Sequence, residues 1–147
     1  MKKSWTARYL GTFILVLCGS LFLFALLAGR KMNETLTTMY KSHLQWTADL
    51  METVLITSTD DGALEDFIHP GSLNETATRL TIITPDGTVV GDSHYDARLL
   101  DNHGDRPEVR RALAGKADYS LRWSDTLKTD MMYYAKPVTL SNGKMYV

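Results

Sequence analysis

A continuous apolar stretch dominates the first part of the chain: residues 9–29 carry no charge and are flanked by Arg8 and Arg30. In a helix, which rises about 1.5 Å per residue, this length reaches roughly 30 Å, the thickness of the hydrocarbon core of a bilayer. A backbone that crosses lipid must satisfy its own hydrogen bonds, so a spanning segment of this kind is a helix. The pattern therefore predicts one transmembrane helix over residues 9–29.

A cleaved signal peptide is the alternative interpretation of the same stretch. Its apolar run is longer than the core of about 7–15 residues that is usual in signal peptides. Cleavage after Ala28 or Gly29 would place Leu26 or Leu27 three residues before the cut, where a small residue is typical. The pattern favours an uncleaved anchor.

A second helical pattern follows directly, because residues 32–57 contain neither glycine nor proline. Two apolar stripes run along it. The first, which we call the seam, has the alternating four- and three-residue spacing of a heptad repeat: Met32, Leu36, Met39, His43, Trp46 and Leu50. The second, on a neighbouring face, consists of Tyr40, Leu44, Met51 and Leu55. Two stripes predict two partners, the core of the same chain and the seam of a second copy in a homodimer. The alternative is one broad stripe buried in a single core.

The pattern changes after this helix. A short second helix is predicted over residues 63–68, ended by His69, Pro70 and Gly71. From Thr78 onwards, β-branched residues predict a strand over 79–84, a turn at 84–87 (Thr-Pro-Asp-Gly) and a second strand over 88–92, which together form a hairpin. A long polar loop then leads to a helix over 107–114.

The start of that helix allows two interpretations. Pro107 suits the first helical position, which makes Arg106 the N-cap. The spacing of Asp105 and Glu108 favours a capping box that begins one residue earlier. The sequence does not distinguish them.

The last part of the chain has the two-residue period of strands. Tyr119, Leu121 and Trp123 alternate with polar neighbours, which predicts a half-buried strand. Further strands are predicted over 131–135, ended by Pro137, and over 144–147, after a turn at 141–143. The predicted fold class is α+β, with a mostly antiparallel sheet. A strand that begins so close to Val147 indicates the N-terminal part of a longer protein.

Composition narrows the chemistry. All 17 acidic residues but only 13 of the 16 basic residues lie in residues 30–147, which gives this part a net charge of about −4 and disfavours a nucleic-acid partner. The single cysteine, Cys18, lies within the predicted span, so residues 30–147 contain no disulfide or cysteine-based zinc site.

The four histidines lack metal-ligand spacing. Asp92, Ser93 and His94 are triad residue types, but neighbours in a strand point to opposite faces. We predict no catalytic residue, metal or cofactor.

Four segments in order carry a resemblance to a known family: LTIITPDGTVVGDS at 80–93, NHGDRPEV at 102–109, ALAG at 112–115 and MYYAKPV at 132–138. They resemble the extracytoplasmic PAS-like (single Cache, PDC) sensor domains of bacterial membrane histidine kinases, most closely the phosphate-regulon type. The resemblance implies that residues 30–147 form a sensor domain outside the inner (plasma) membrane and that residues 1–8 are cytoplasmic. It implies a two-component protein-histidine kinase as the parent, although the 147 residues contain no phosphoacceptor or ATP-binding motif.

The resemblance also implies a ligand between the sheet and the loop at 94–104. The candidate ligand-binding residues are His94, His103, Arg106, Arg122, Tyr134 and Lys136. Arg106, near a helix N-terminus, favours a small anionic ligand, although a structural cap is the alternative role. Citrate-type sensors carry an arginine three residues before the histidine that ends the second strand. Here that position is Gly91, so the carboxylate clamp of those sensors is incomplete in this chain. The alternatives are the same module on a chemoreceptor or cyclic-dinucleotide enzyme, and a single-pass structural protein that binds a partner.

Overall fold

The computed structural model describes residues 5–57, 68–72, 78–124 and 128–147. One helix, α1 (Trp5–Thr57), contains both the predicted span and the predicted helix that follows it. The predicted helix at 63–68 lies outside the described residues except for Ile68, which is in a bend. The chain divides into two compact units, Met1–Met39 and Tyr40–Val147.

In the first unit, the apolar side chains between Leu10 and Leu27 are exposed around the whole helix. The hydroxyl groups in this segment are satisfied locally: Thr12 donates to the carbonyl of Tyr9 at 2.9 Å, and Ser20 donates to that of Leu17 at 2.8 Å. Within the described part of the chain, α1 is long and apolar enough to cross a membrane, by length and composition, and a signal sequence would meet the same criteria.

The second unit contains the predicted hairpin, with strands β1 (Thr81–Ile83) and β2 (Val89–Asp92) paired antiparallel. The turn closes with a hydrogen bond from the Gly87 N–H to the Thr84 carbonyl at 2.8 Å. Gly87 has a φ of +88°, a conformation that glycine adopts without the penalty of a Cβ. The hydroxyls of Thr84 and Thr88 donate to Asp86, and these hydrogen bonds lower the pKa of its carboxyl group.

The later strands are also antiparallel: β3 (Asp118–Ser124) pairs with β4 (Thr129–Ala135), and β5 (Val138–Thr139) pairs with β6 (Met145–Tyr146). Backbone hydrogen bonds of 2.8 Å in both directions between Ile83 and Val147 connect the hairpin to the chain after β6. The strands form three two-stranded antiparallel sheets, β1-β2, β3-β4 and β5-β6, where the sequence predicted one mostly antiparallel sheet. The predicted α+β class with antiparallel strands is therefore confirmed.

Strand β1 is buried on both faces, which explains its run of β-branched residues. Ile82 lies in one core cluster with Leu55 of α1, together with Ile68, Val138 and Leu140. Ile83 lies in a second cluster with Val89 and with Val109 of α2 (Pro107–Leu113). Through these two neighbouring residues, β1 contributes to both clusters, one with α1 and one with α2.

Strand β3 departs from the expected burial. Its existence is confirmed, but Leu121 and Trp123 remain 69% and 53% exposed, whereas Ser124 is buried and Arg122 is partly buried. At these positions, the polar residues therefore lie on the more protected face. The reason is an ion pair between Arg122 and the buried Glu108 of α2, which draws this face of β3 towards the helix.

The start of α2 resolves the two capping interpretations. Arg106 occupies the N-cap position with extended backbone angles, and its side chain makes no capping hydrogen bond. The Glu108 side chain is paired with Arg122, so no capping box forms. Pro107 takes the first helical position, where its missing N–H leaves no bond unmade.

Candidate functional site

A cavity of about 160 Å³ lies within the second unit, where α1, β1, β4 and the start of α2 meet. Its volume is room for several water molecules or a small organic molecule. Leu44, Met51 and Leu55 of α1 contribute apolar lining, and the polar lining consists of Glu52, Arg79, Thr81, Arg106, Glu108, Tyr133, Tyr134 and Lys136. Of the six candidate ligand residues, Arg106, Tyr134 and Lys136 thus line this cavity.

Lys136 and Tyr134 lie on the side of α1. The ammonium group of Lys136 lies 2.5 Å from carboxylate oxygens of both Asp49 and Glu52. Burial lowers the pKa of Lys136, but the hydrogen bonds to these two carboxylates outweigh burial and raise it above its ordinary value. One cation therefore faces two anions, so this side of the cavity has no uncompensated positive charge.

Tyr134 is stacked on Tyr119, its direct cross-strand neighbour, with ring centroids 4.6 Å apart. The Tyr119 hydroxyl donates to the backbone carbonyl of Lys41 at 3.2 Å, and this contact ties β3 to α1. Burial is the main cause that raises the pKa of the Tyr134 phenol. Tyr134 is therefore a neutral aromatic part of the cavity wall, and Tyr119 supports it from outside the lining.

Arg122 lies on the side of α2. Its Nε donates to Glu108 Oε1 at 3.3 Å, and its guanidinium carbon lies 3.6 Å from the centroid of the Tyr133 ring. Glu108 is only 3% exposed. Arg122 is absent from the cavity lining, but Glu108 and Tyr133, its two contacts, belong to it.

Arg79 was missed by reasoning from the sequence. Its Nε donates to Asp92 Oδ2 at 2.8 Å, and its guanidinium lies over the ring of Tyr95 at 4.6 Å. Asp92 is 1% exposed and also accepts from the Thr81 hydroxyl and the His94 backbone N–H. The available signal was an aspartate at the end of a hairpin strand with an arginine before the partner strand, at positions that antiparallel pairing brings together.

Arg106 differs from the other two arginines, because its side chain makes no hydrogen bond or ion pair with the described residues. Burial, followed by the positive charge of Arg122, lowers its pKa to about 10, with a smaller effect of Arg79 in the same direction. Its neighbour Glu108 acts in the opposite direction. Arg106 is thus a partly buried cation at the cavity wall without a bonded anion.

The two candidate histidines lie outside the cavity lining. His103 is buried, with its backbone N–H bonded to the Gly87 carbonyl at 2.8 Å, and Asn102 donates to the Asp86 carbonyl at 2.9 Å. Burial lowers the pKa of His103, and the charge of Arg106 adds to the effect. These bonds hold the loop against the hairpin turn. None of residues 94–104 lines the cavity, so the cavity does not lie where the resemblance had implied, between the sheet and this loop.

His94 is exposed, and its Nδ1 lies 2.8 Å from Ser93 Oγ. The two neighbours are therefore bonded, contrary to the expectation that adjacent residues point apart. They do not form a catalytic relay, because Asp92 bonds the backbone rather than the ring of His94, and Ser93 is fully buried. In the described ranges, no three His, Cys, Asp or Glu side chains lie close enough to hold a metal ion.

Comparison with known proteins adds no assignment. No protein-family model matches the chain, and no curated protein has a significantly similar sequence. The cavity, its charges and the helix that lines it are therefore the basis for assigning a function.

Proposed function

We propose that the chain is the signal-sensing region of a two-component membrane histidine kinase. Residues 9–29 are the membrane anchor, and residues 30–147 form a PAS/Cache-like domain on the extracytoplasmic side. The α+β class, the antiparallel strands and the hairpin with its Thr-Pro-Asp-Gly turn support this proposal. The four segments of sequence that resemble such sensors add to this support.

One observation carries the proposal. Helix α1 contains the apolar stretch, and the same helix lines the cavity through Leu44, Met51 and Leu55. A ligand that binds better to one packing of α1 against the strands shifts the equilibrium towards that packing, by no more than its difference in affinity. Because the helix is uninterrupted, such a shift has a direct route to the membrane.

The seam supports a homodimer as the signalling form. Met32, Leu36, Met39, Trp46 and Leu50 are all at least 43% exposed, and His43 is exposed as well. In the second stripe, by contrast, Leu55 is buried in the core and Leu44 and Met51 are partly buried, although Tyr40 is exposed. An apolar row that stays exposed beside a packed one favours a second copy as its partner.

Orientation is tested by labelling single cysteines with a membrane-impermeant maleimide in intact spheroplasts. In a Cys18→Ser background, a cysteine at the exposed position Lys116 reacts before lysis, and a cysteine at Ser4 reacts only after lysis. The reverse pattern, or a mature protein that begins near Arg30, contradicts a sensor domain anchored outside the membrane.

The type of output domain is tested by sequencing the reading frame that follows the codon for Val147. The proposal expects a second apolar span, a helix with a phosphoacceptor histidine and an ATP-binding domain. A methyl-accepting helical region or a cyclic-dinucleotide synthase domain would contradict the kinase and retain the sensor. A stop codon soon after Val147 would favour a single-pass protein that binds a partner.

A further inference from the structure

The charges at the α2 end of the cavity do not balance. Arg79 is paired with Asp92 and Arg122 with Glu108, whereas Arg106 has no bonded carboxylate among the described residues. Three cations therefore share two anions. At the other end, Asp49 and Glu52 already neutralise Lys136, so the excess positive charge is centred on Arg106.

Hydrogen-bonding capacity at the same end is also unused. The Nη2 atoms of Arg79 and Arg122 are buried and have no hydrogen-bond partner in the described structure. Both are donors, and burying a donor without a partner is unfavourable. An oxyanion would accept from such groups and would supply the missing negative charge.

A third unused atom narrows the class of ligand. Glu108 Oε2 is buried and has no partner in the described structure either, although the other oxygen of this carboxylate accepts from Arg122. Glu108 is 3% exposed and lines the cavity with Arg79 and Arg106. An ionised carboxylate only accepts, so an anion without a proton to donate would be repelled there.

We propose that this end of the cavity binds a small oxyanion that also donates a hydrogen bond, such as a hydroxycarboxylate or hydrogen phosphate. Arg106 provides the uncompensated charge, Arg79 provides a donor, and Glu108 accepts a hydrogen bond from the ligand. Arg122, which lies outside the lining, holds Glu108 in place. This inference deepens the proposed sensor function and rests on it for its biological meaning, but the binding itself requires no kinase output.

Two matched pairs of anions test the proposal by isothermal titration calorimetry of the full chain in detergent micelles. Malate differs from succinate by one hydroxyl group, and phosphate near neutral pH carries a proton that sulfate lacks. We expect at least one donor-bearing member to bind, and to bind at least about tenfold more tightly than its matched partner, because Glu108 Oε2 is satisfied only by a donor. The two pairs also distinguish a carboxylate ligand from a phosphate ligand.

Variants assign the effect to named residues. Arg106→Gln weakens binding at least about tenfold, because it removes the excess charge, while Arg110→Gln, the same change on the exposed face of α2, leaves binding unchanged. Glu108→Gln keeps an acceptor for Arg122 and offers an N–H to the ligand, so the preference for malate or phosphate disappears or reverses. Circular dichroism confirms that each variant is folded.

Three results overturn the proposal: no binding of either pair, equal binding within both pairs, or equal losses in the Arg106 and Arg110 variants. None of them touches the membrane orientation or the output of the chain, which the labelling and reading-frame experiments address separately. Conversely, a chain that binds malate or phosphate as described but faces the cytoplasm would retain this site and lose the sensor function.

Discussion

Arg122 stands between two groups that fix its position: its guanidinium carbon lies 3.6 Å from the ring centroid of Tyr133, and its Nε lies 3.3 Å from Glu108 Oε1. Arg122 and Tyr133 belong to the paired strands β3 and β4, and Glu108 belongs to α2. Stacking and the ion pair together hold the helix against the sheet. The same contacts place a buried carboxylate at the cavity wall.

Removing the cation should therefore destabilise the fold. We expect Arg122→Leu to lower the free energy of unfolding by about 2 kcal/mol, because Glu108 would stay buried with neither oxygen bonded. The measurement is urea unfolding in detergent micelles. Arg111→Leu is the control, since its pair with Asp118 is much more exposed and should contribute about 0.5 kcal/mol. Equal losses would show that the Arg122 pair has no special role.

The hairpin turn provides a second test. A Cβ on Gly87 would lie 2.3 Å from Asn102 Oδ1 and 2.6 Å from the Gly104 nitrogen, in addition to the strain of a φ of +88°. We expect Gly87→Ala to cost about 3 kcal/mol in unfolding free energy. Gly143→Ala has nearly the same strain, at a φ of +81°, but meets no atom within 4 Å, and should cost about 1 kcal/mol. If both variants lose the same stability, the loop does not pack on the turn.

His103 makes stability depend on pH. Burial lowers its pKa below the ordinary value of 6.5, so the folded protein keeps it neutral at pH values where the unfolded chain is protonated. Its contribution is complete above about pH 6.5 and is lost as the pH falls through the lowered pKa, with a slope of at most about 1.4 kcal/mol per pH unit. We expect urea unfolding between pH 5 and 7.5 to give a flatter profile for His103→Gln. A profile as steep in His103→Gln as in the wild type would contradict this role.

Local patterns were sufficient for much of the fold. The absence of glycine and proline over 32–57 predicted that part of α1, and Thr84, Pro85 and Gly87 predicted the turn. Each of these features depends on residues that are close in sequence. For the same reason, β3 was recognised from its two-residue period.

Long-range contacts explain what the sequence did not reveal. Alternation in β3 identified two faces, but the partner of Arg122 lies 14 residues away in α2, and this pair decided which face is protected. The position of the loop at 94–104 was likewise decided by the bonds of Asn102 and His103 to the hairpin turn. Arg79 joined the site through Asp92, which only strand pairing brings near.

The most direct test of the sensor proposal is disulfide crosslinking of Leu36→Cys in membranes, in a Cys18→Ser background, with and without malate or phosphate. The account predicts a crosslinked dimer at Leu36, little product for Thr38→Cys about 200° around the helix, and a crosslinking rate that changes when the ligand is added. The ligand effect should be lost in Arg106→Gln. The sensor proposal would be contradicted by monomer alone at Leu36, or by a dimer whose crosslinking rate does not change with any ligand shown to bind.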